Sequence, residues 1–316
     1  MLVMNPLRIL VVDDFAKFRD YVCSVLEKDS RFKIVGQASD GLEAVNKAAE
    51  LKPDLVLLDV GLPELNGLEA ARQMRKLVPL AKILFISQDF SFEVVEAALR
   101  LGAHGYIYKL QTSKELLPGI EAVTNNLYFI SGLIKEKFRE DKARVRHEVQ
   151  FYSDDRLLEQ GFADFLAAEL AAGKATIMLA TESHRAGVLQ SLKSKRVDVD
   201  HAIAAGTLIL LDPFEILSTI MVDEMPDPNR FFDVMGEIIE TVASIVPRVS
   251  ACGEVAPQLL AAGKISQAIR IEQLWDLMVH RFALDTLCAY SLSQVKKDSD
   301  VFESICAEHS AIFIAE

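Results

Sequence analysis

Short runs rich in Val, Ile and Leu alternate with amphipathic stretches along the chain, and this alternation is the strongest constraint on its fold. In the first half the apolar runs are too continuous for half-exposed strands, which favours a parallel sheet covered by helices on both faces. Candidate strands lie at residues 8–12, 33–38, 55–58, 82–86 and 105–108. Helical patterns follow at residues 15–28, 41–51, 68–77, 92–101 and 114–124. Residues 1–125 are therefore predicted to form a doubly wound (βα)5 domain.

The second half repeats the alternation, which suits a chain of 316 residues, long enough for two domains. Its candidate strands are residues 148–152, 176–180, 207–211, 248–252, 286–290 and 312–314. Helical patterns include residues 157–172, 231–245 and 265–280. Between the halves, residues 131–146 are rich in charge around a thin apolar stripe, so residues 126–146 are predicted to be a helical linker. Residues 147–316 are predicted to form a second α/β domain.

Charge and cysteine content limit the classes of function. The chain carries a net charge of −12, with 15 basic and 17 acidic residues in 1–125 against 19 and 29 in 126–316. A second half with a net charge of −10 would repel a phosphate backbone, which argues against DNA binding. The four cysteines are far apart, and the five histidines of residues 126–316 show no ligand spacing (His147, His184, His201, His280, His309). Neither a disulfide framework nor a zinc site is predicted, and the cysteines are expected to be inert.

Five side chains with phosphate and metal chemistry fall at the ends of predicted strands. Asp13 and Asp14 follow the first strand, Asp59 the third, Ser87 the fourth and Lys109 the fifth. The carboxyl ends of strands in a doubly wound sheet converge on one crevice. Three carboxylates in that crevice would repel one another unless a hard cation such as Mg2+ neutralises them. A hydroxyl and an ammonium beside them complete a receptacle for a phosphoryl group.

Residues 7–125 resemble the receiver domain of two-component response regulators, a CheY-like fold. The resemblance rests on LRILVVDD, PDLVLLDVGLPELNGLE, KILFISQD and GAHGYIYK. It implies that Asp59 accepts phosphate from a histidine kinase. It also implies that the Gly61 backbone carbonyl joins Asp13, Asp14 and Asp59 in holding Mg2+. Ser87 and Lys109 would bind the phosphoryl oxygens, with Tyr106 as the aromatic switch.

The family also implies a surface for dimerisation or partner binding, around residues 92–101 and 105–124. Its members often carry a helix-turn-helix DNA reader after the receiver, and none follows here. Receiver domains catalyse only their own phosphorylation and dephosphorylation, so a conventional turnover enzyme is not expected.

Residues 147–316 resemble a MEDS-type sensory domain, similar in layout to RecA-like ATPases without their phosphate loop. The resemblance rests on HEVQFYSDD, ATIMLATESHRAGVLQSL, ACGEVAPQLLAAGKISQAIRIEQLWD and LCAYSL. It implies that the domain senses a small molecule, such as a hydrocarbon-type compound, or binds a protein partner. A pocket is expected at the carboxyl ends of the strands. Its weak candidate residues are His147, Tyr152, Glu182, Glu254 and Trp275.

A nucleotide site is the weaker interpretation of the second half. AAGKAT at 171–176 lacks the first Gly and the Ser or Thr of a phosphate-binding loop, and it precedes its strand. Trp275 repeats with Ile271, Leu274 and Met278 at helical spacing, which favours packing in the core over ligand stacking.

The sequence thus predicts a cytoplasmic response regulator with no membrane span. In it, Asp59 is phosphorylated with Mg2+ and the second domain is a sensory or interaction module that does not bind DNA. Two alternatives stay open: a small-molecule sensor whose receiver serves for dimerisation, and a nucleotide-dependent enzyme in the second half.

Overall fold

The computed structural model describes residues 5–134, 137, 145–297 and 299–315. The chain divides into two compact units, Met1–Phe138 and Arg139–Glu316. Each unit is an α/β structure built on its own parallel sheet of six strands. The predicted start of the second domain at residue 147 stays a prediction.

The first unit follows the predicted alternation of strands and helices. Its strands are β1 Leu7–Val12, β2 Phe32–Ala38, β3 Leu55–Leu58, β4 Lys82–Ser87, β5 Gly105–Tyr108 and β6 Phe129–Ile130. Its helices are α1 Ala16–Leu26, α2 Gly41–Leu51, α3 Gly67–Leu77, α4 Phe92–Arg100 and α5 Thr112–Thr124. The predicted elements all form, with ends shifted by three residues or fewer.

The sheet has the strand order β2-β1-β3-β4-β5-β6, and every pair is parallel. This is the doubly wound order of a CheY-like receiver fold. Alternate residues of β1, β3, β4 and β5 join apolar residues of α1 and α5 in one buried cluster. Because side chains alternate along a strand, Leu10, Val12, Val56 and Leu58 face the other side of the sheet, and they too are buried.

One part of the predicted linker is wrong. Phe129 and Ile130 form a sixth strand, which pairs with Gly105 and Tyr106, so this part of residues 126–146 belongs to the first sheet. The prediction failed because a two-residue strand leaves no periodic pattern in the sequence. Residues 132–134 and 137 are helical, while the remaining linker positions 135–136 and 138–144 lie outside the described residues.

The second unit also alternates strands with helices. Its strands are β7 His147–Tyr152, β8 Ala175–Leu179, β9 Leu208–Leu211, β10 Met221–Val222, β11 Met225–Pro226, β12 Val249–Gly253, β13 Asp285–Ser291 and β14 Ala311–Ala315. Its helices are α6 Asp155–Ala171, α7 Glu182–Ser194, α8 Val199–Ala204, α9 Pro213–Ile220, α10 Pro228–Ile245, α11 Val255–Ala261, α12 Ile265–Phe282 and α13 Asp300–Ala307.

Six of these strands form a parallel sheet in the order β14-β7-β13-β12-β8-β9. These are the six strands that the sequence predicts for a second α/β domain. The antiparallel pair β10 and β11 was not predicted, because two-residue strands are too short for a pattern. A buried cluster centred on Leu158, Phe162 and Leu166 of α6 packs against one face of the sheet.

Across the described parts of both units, no helix has the length and apolar character needed to cross a membrane.

Candidate functional site

Strand register brings two acidic residues together at the carboxyl edge of the first sheet. Val12 of β1 and Leu58 of β3 are direct partners, so Asp13 and Asp59 follow them side by side. The Asp59 N–H donates to the Val12 carbonyl at 3.0 Å, which extends the pairing by one step. Both acids are buried, with exposed fractions of 2% and 6%, whereas Asp14 is exposed.

Lys109 joins these acids from the end of β5. Its Nζ lies 2.5 Å from Asp13 Oδ2 and 2.7 Å from Asp59 Oδ2. Ser87 and Tyr108 are register partners at the ends of β4 and β5, so Ser87 stands on the same edge as Lys109. The five residues predicted from strand ends therefore share one edge of the sheet.

The loop after Asp59 is fixed by a close backbone approach. A Cβ atom at Gly67 would lie 1.9 Å from the Asp59 carbonyl oxygen, so only glycine fits at the start of α3. The Gly67 N–H donates to the Val60 carbonyl at 2.8 Å. Gly61 lies in this loop, and its N–H donates to Asp59 Oδ1 at 3.3 Å. The α3 helix thus holds the loop that carries Asp59 and Gly61.

Burial and pairing change the acidity of the site. Burial raises the pKa of Asp13 above its ordinary 3.8, although hydrogen bonds from Lys109 and the Phe15 N–H act in the opposite direction. Burial lowers the pKa of Lys109, but its hydrogen bonds to Asp13 and Asp59 outweigh burial and raise that pKa overall. The lysine is therefore a firmly charged counter-ion, while the ionised form of Asp13 is costly to bury.

Ser87 and Tyr106 are linked through the loop that follows β4. The Asp89 N–H donates to Ser87 Oγ at 3.3 Å, and the Tyr106 hydroxyl donates to the Asp89 carbonyl at 2.5 Å. Tyr106 is fully buried and packs on Phe85, with ring centroids 5.9 Å apart. Burial raises the pKa of its phenol. A movement of Ser87 would therefore act on Tyr106 through one short stretch of backbone.

The donor set at this edge suits a hard divalent cation. Asp13, Asp14 and Asp59 each offer a carboxylate oxygen, and the three oxygens lie within 4.8 Å of one another. Mg2+ takes oxygen ligands, often one or two carboxylates together with waters. The exposed side of Asp14 leaves access for water and substrate. These residues fit a Mg2+ ion.

The five candidates in the second unit do not form one site. Tyr152 and Glu254 lie at the carboxyl ends of β7 and β12, but His147 is the first residue of β7 and lies at the opposite edge. Glu182 is an exposed residue that opens α7, and Trp275 lies on α12. The predicted common rim is therefore wrong for His147, because a residue at the start of a parallel strand lies at the amino edge of the sheet and cannot reach the carboxyl edge.

Sequence reasoning missed a charged group at the carboxyl edge of the second sheet. His184 Nδ1 lies 2.9 Å from Glu254 Oε1, and the Thr181 N–H donates to the same oxygen at 2.7 Å. The hydrogen bond to Glu254 raises the pKa of His184, partly offset by burial. Burial, followed by the charge of Glu254, raises the pKa of the Tyr152 phenol. Only the position of Glu254 directly after a strand was a sequence signal for this group.

The Gly-Lys stretch at 171–176 has a structural role. Lys174 lies 2.5 Å from Glu169 Oε2 and also pairs with Asp285, at the amino edge of the sheet. At the other edge, where a phosphate loop would follow β7, Asp154 caps α6. Its Oδ1 accepts the N–H groups of Arg156 and Leu157 at 3.0 and 3.3 Å. A carboxylate thus already occupies the anion-binding end of this helix.

Trp275 lines a small apolar cavity of ≈ 40 Å³ instead of being fully buried in the core. Its indole meets the Phe231 ring edge-on, with centroids 6.3 Å apart. Ile216 and Met235 add apolar walls, and Glu272 is a polar group among the lining residues.

Fold and acidic site define the class of the first unit as a receiver domain of response regulators. The family model of the response regulator receiver domain matches residues 9–121. The model of the MEDS domain, described as the methanogen/methylotroph DcmR sensory domain, matches residues 146–309, more than half of the chain. The chain belongs to the MEDS family, with its sensory domain joined to a receiver.

Several known proteins are similar to part of the chain. Response regulator protein VraR of Staphylococcus saprophyticus is 27% identical over 194 residues, 60% of this chain and 91% of VraR. The response regulator domain of Thermotoga maritima CheB is 35% identical, with 38% of this chain and 97% of that chain covered and a TM-score of 0.36. A LuxR-family response regulator from Aurantimonas sp. SI85-9A1 is 29% identical, with 44% and 99% covered and a TM-score of 0.42.

Proposed function

We propose that this protein is a phosphoacceptor of a two-component system, in which Asp59 takes a phosphoryl group from a histidine kinase. One observation carries the proposal: the Lys109 ammonium bridges the carboxylates of Asp13 and Asp59, beside Asp14. Acids held by one lysine at the open edge of a parallel sheet are suited to bind a metal and a transferring phosphoryl group.

In the transfer, an Asp59 carboxylate oxygen attacks the phosphorus of phosphohistidine. The new O–P bond forms as the P–N bond breaks, and the imidazole leaves with the bonding electrons and takes up a proton. The Lys109 ammonium offsets charge on the phosphoryl oxygens, and the Ser87 hydroxyl donates a hydrogen bond to one of them. Asp13 and Asp14, with the Gly61 carbonyl, would hold Mg2+. The ion supplies positive charge that stabilises the phosphoryl oxygens.

The signal is then carried by the loop after β4, whose residue Asp89 links Ser87 to Tyr106, and by the second unit. Ser87 can shift the population of receiver states only if it contacts the phosphorylated site differently in each state. The acidic second unit is proposed to be a sensory or partner-binding module without DNA binding. Its six-stranded parallel sheet and its charge support this assignment. The surface around residues 92–101 and 105–124 is the proposed site of dimerisation or partner binding.

Labelling with a small phosphodonor in the presence of Mg2+ tests the acceptor. Asp59→Asn should reduce acid-stable, base-labile labelling to background, because the amide cannot form an acyl phosphate. Asp89→Asn is the matched control, since Asp89 is an exposed acid near Ser87 on the same edge, and it should keep its label. Equal labelling of wild type and Asp59→Asn would reject the proposal.

A second function, the sensing of a small apolar molecule, is favoured by the cavity beside Trp275. A cavity of ≈ 40 Å³ holds only a few heavy atoms, which fits a short hydrocarbon derivative. Trp275 is the single tryptophan of the chain, so its fluorescence reports on this cavity directly.

Titration of that fluorescence with short chlorinated or hydroxylated hydrocarbons tests the sensor. Wild type should show a saturable change, and Ala256→Val should weaken it, because Ala256 lines the cavity. Ala186→Val changes an exposed alanine of α7 and should leave the response intact. Identical responses in wild type and Ala256→Val would show that the small molecule does not bind in this cavity.

A further inference from the structure

Four side chains with metal-ligand chemistry meet in the interior of the second unit. His147 opens β7, Cys288 lies within β13, Glu272 lies on α12 and His309 precedes β14. All four are buried, with exposed fractions of 3–7%. Each offers one ligand atom, and these four atoms lie within 4.8 Å of one another. The parallel pairing of β7 with β13 and β14 brings together residues that are far apart in sequence.

Four of the six distances between these atoms lie at or slightly above the edge lengths of a zinc coordination tetrahedron. His147 Nε2 lies 3.7 Å from Cys288 Sγ and 3.9 Å from Glu272 Oε2. Glu272 Oε2 lies 3.9 Å from Cys288 Sγ and 3.5 Å from His309 Nε2. Metal bonds typical of zinc place neighbouring tetrahedral ligands about 3.3–3.8 Å apart. The two contacts of Cys288 are within reach of weak sulfur hydrogen bonds. The two distances from Glu272 to the imidazoles, 3.9 and 3.5 Å, are longer than good N–H···O hydrogen bonds, which leaves room for an ion between these groups.

Both imidazoles are oriented by a partner on their other nitrogen. His147 Nδ1 lies 3.1 Å from Asp276 Oδ1, and His309 Nδ1 lies 2.7 Å from the Ile305 carbonyl. An acceptor at this position holds the proton on Nδ1 and directs the Nε2 lone pair toward the centre. Metal-binding histidines are characteristically held in this way by a carboxylate or a backbone carbonyl.

Glu272 is oriented by the same principle. The Tyr290 hydroxyl donates to its Oε1, which leaves Oε2 as the oxygen that faces the two imidazoles and the thiol. Glu272 itself is buried, with an exposed fraction of 3%. A buried carboxylate is strongly unfavourable unless a cation or hydrogen bonds compensate its charge. A divalent cation between the four ligand atoms would offset this charge.

We propose that His147, Glu272, Cys288 and His309 bind one Zn2+ ion. Two imidazole nitrogens, one thiolate and one carboxylate form a mixed donor set that suits Zn2+ and is too soft for Mg2+. Four protein ligands complete a tetrahedron, as in structural zinc sites. Glu272 and Cys288 also line the apolar cavity beside Trp275, so the ion would sit against the wall of that cavity. The proposal does not depend on phosphorylation of Asp59.

Metal analysis of the full-length chain tests the site. The protein is produced with added zinc, freed of loosely bound metal in excess Mg2+, and its zinc content is measured. One zinc ion per chain is expected in wild type and in Asp59→Asn, which separates this site from the acidic site of the receiver. Cys288→Ser and His309→Gln should lose the ion. Cys252→Ser, at a fully buried cysteine of the neighbouring strand β12, should keep it.

Replacement of zinc by Co2+ provides a second readout, in which the spectrum of wild type alone reports a thiolate ligand. Wild type and Cys252→Ser should show the absorption of tetrahedral Co2+ with a thiolate-to-cobalt charge-transfer band. Folded Cys288→Ser should lack that band. The proposal is overturned if folded wild type binds neither ion, if the bound Co2+ shows no thiolate band, or if Cys288→Ser and His309→Gln both retain zinc.

Discussion

The two units each gather acidic side chains for a cation, but they do so in opposite surroundings. The receiver offers oxygen donors, among them the carboxylates of Asp13, Asp14 and Asp59, at an open sheet edge where one acid is exposed. The second unit combines nitrogen, sulfur and oxygen donors in a cluster whose members are all buried. The two sites therefore differ both in the chemistry of their donor atoms and in their exposure to solvent. The open oxygen site suits a hard ion that exchanges with the reaction, and the closed mixed site suits an ion that stays bound.

The source of counter-charge differs in the same way. In the receiver, Lys109 pairs with Asp13 and Asp59, so the acids are partly neutralised before any ion binds. In the second unit, the three groups that orient the imidazoles and Glu272 are Asp276, Tyr290 and the Ile305 carbonyl, and none of these three carries a positive charge. Loss of the metal should therefore cost the second unit much more than the receiver.

The largest expected effect is destabilisation of the second unit by zinc removal. A strong chelator should lower its free energy of unfolding by about 4 kcal/mol, the linkage expected when free zinc had been a thousandfold above its Kd. Trp275 fluorescence follows this transition, because the only tryptophan lies in the second unit. Omission of Mg2+ alone should leave the transition unchanged. If the chelator leaves the unfolding transition of zinc-loaded protein unchanged, the second unit does not depend on a bound metal and the two units do not differ in this respect.

Replacement of Lys109 should produce the next largest effect. Lys109→Met leaves Asp13 and Asp59 buried without their ammonium and should destabilise the metal-free receiver by about 3 kcal/mol. Mg2+ should restore part of this loss, since it supplies charge at the same carboxylates. Urea unfolding with and without Mg2+ measures both the loss in the free energy of unfolding and the part that Mg2+ restores. Lys47→Met, at a lysine on the surface of α2, should change stability by less than about 0.5 kcal/mol.

The same contrast explains what the sequence could and could not predict. Asp13, Asp59, Ser87 and Lys109 directly follow strands of a parallel sheet, so the order of strands alone brings them to one edge. Each residue could be located from its apolar run, whereas the register that pairs Val12 with Leu58 is known only from the structure. The receiver fold and the grouping of its candidate residues were therefore predictable from local patterns.

The buried cluster had no such local signal. His147, Glu272, Cys288 and His309 come from three strand regions and a helix, and no two of them stand at a ligand-like spacing. The absence of a sequence motif predicted no zinc site and inert cysteines, yet strand order β14-β7-β13 draws these residues together. Only the pairing of non-consecutive strands could reveal the cluster, and one sequence without aligned relatives does not specify that pairing.

A smaller effect should follow from removal of the Asp13 charge. The raised pKa of Asp13 means that its ionised form is disfavoured by folding, so Asp13→Asn should stabilise the metal-free receiver at pH 7 by about 1 kcal/mol. The gain should be absent well below pH 3.8, grow as the pH rises from there toward the raised pKa of folded Asp13, and be complete above that pKa. Urea unfolding in a chelator at several pH values measures it.

The Asp13→Asn variant also separates stability from function. Mg2+ should stabilise wild type more than the variant, because the variant lacks one of the three carboxylates. Labelling by a phosphodonor should fall in the variant even though its fold is more stable. A variant that is destabilised without Mg2+ would show that the Asp13 carboxylate is compensated by Lys109 and is not a cost of the site.

The smallest expected effect concerns His184, an imidazole paired with a carboxylate in the second unit. Its hydrogen bond to Glu254 raises its pKa above 6.5, so it contributes stability that is fully present below pH 6.5. This contribution is lost as the pH rises through the raised pKa. His184→Gln should therefore lower the free energy of unfolding by about 1 kcal/mol at pH 6 and by less at pH 9, as measured by denaturant unfolding.

His201→Gln, at an exposed histidine of α8, is the control and should change stability by less than about 0.5 kcal/mol at both pH values. An equal loss at both pH values for His184→Gln would mean that the ring acts by packing, and that its charge does not contribute.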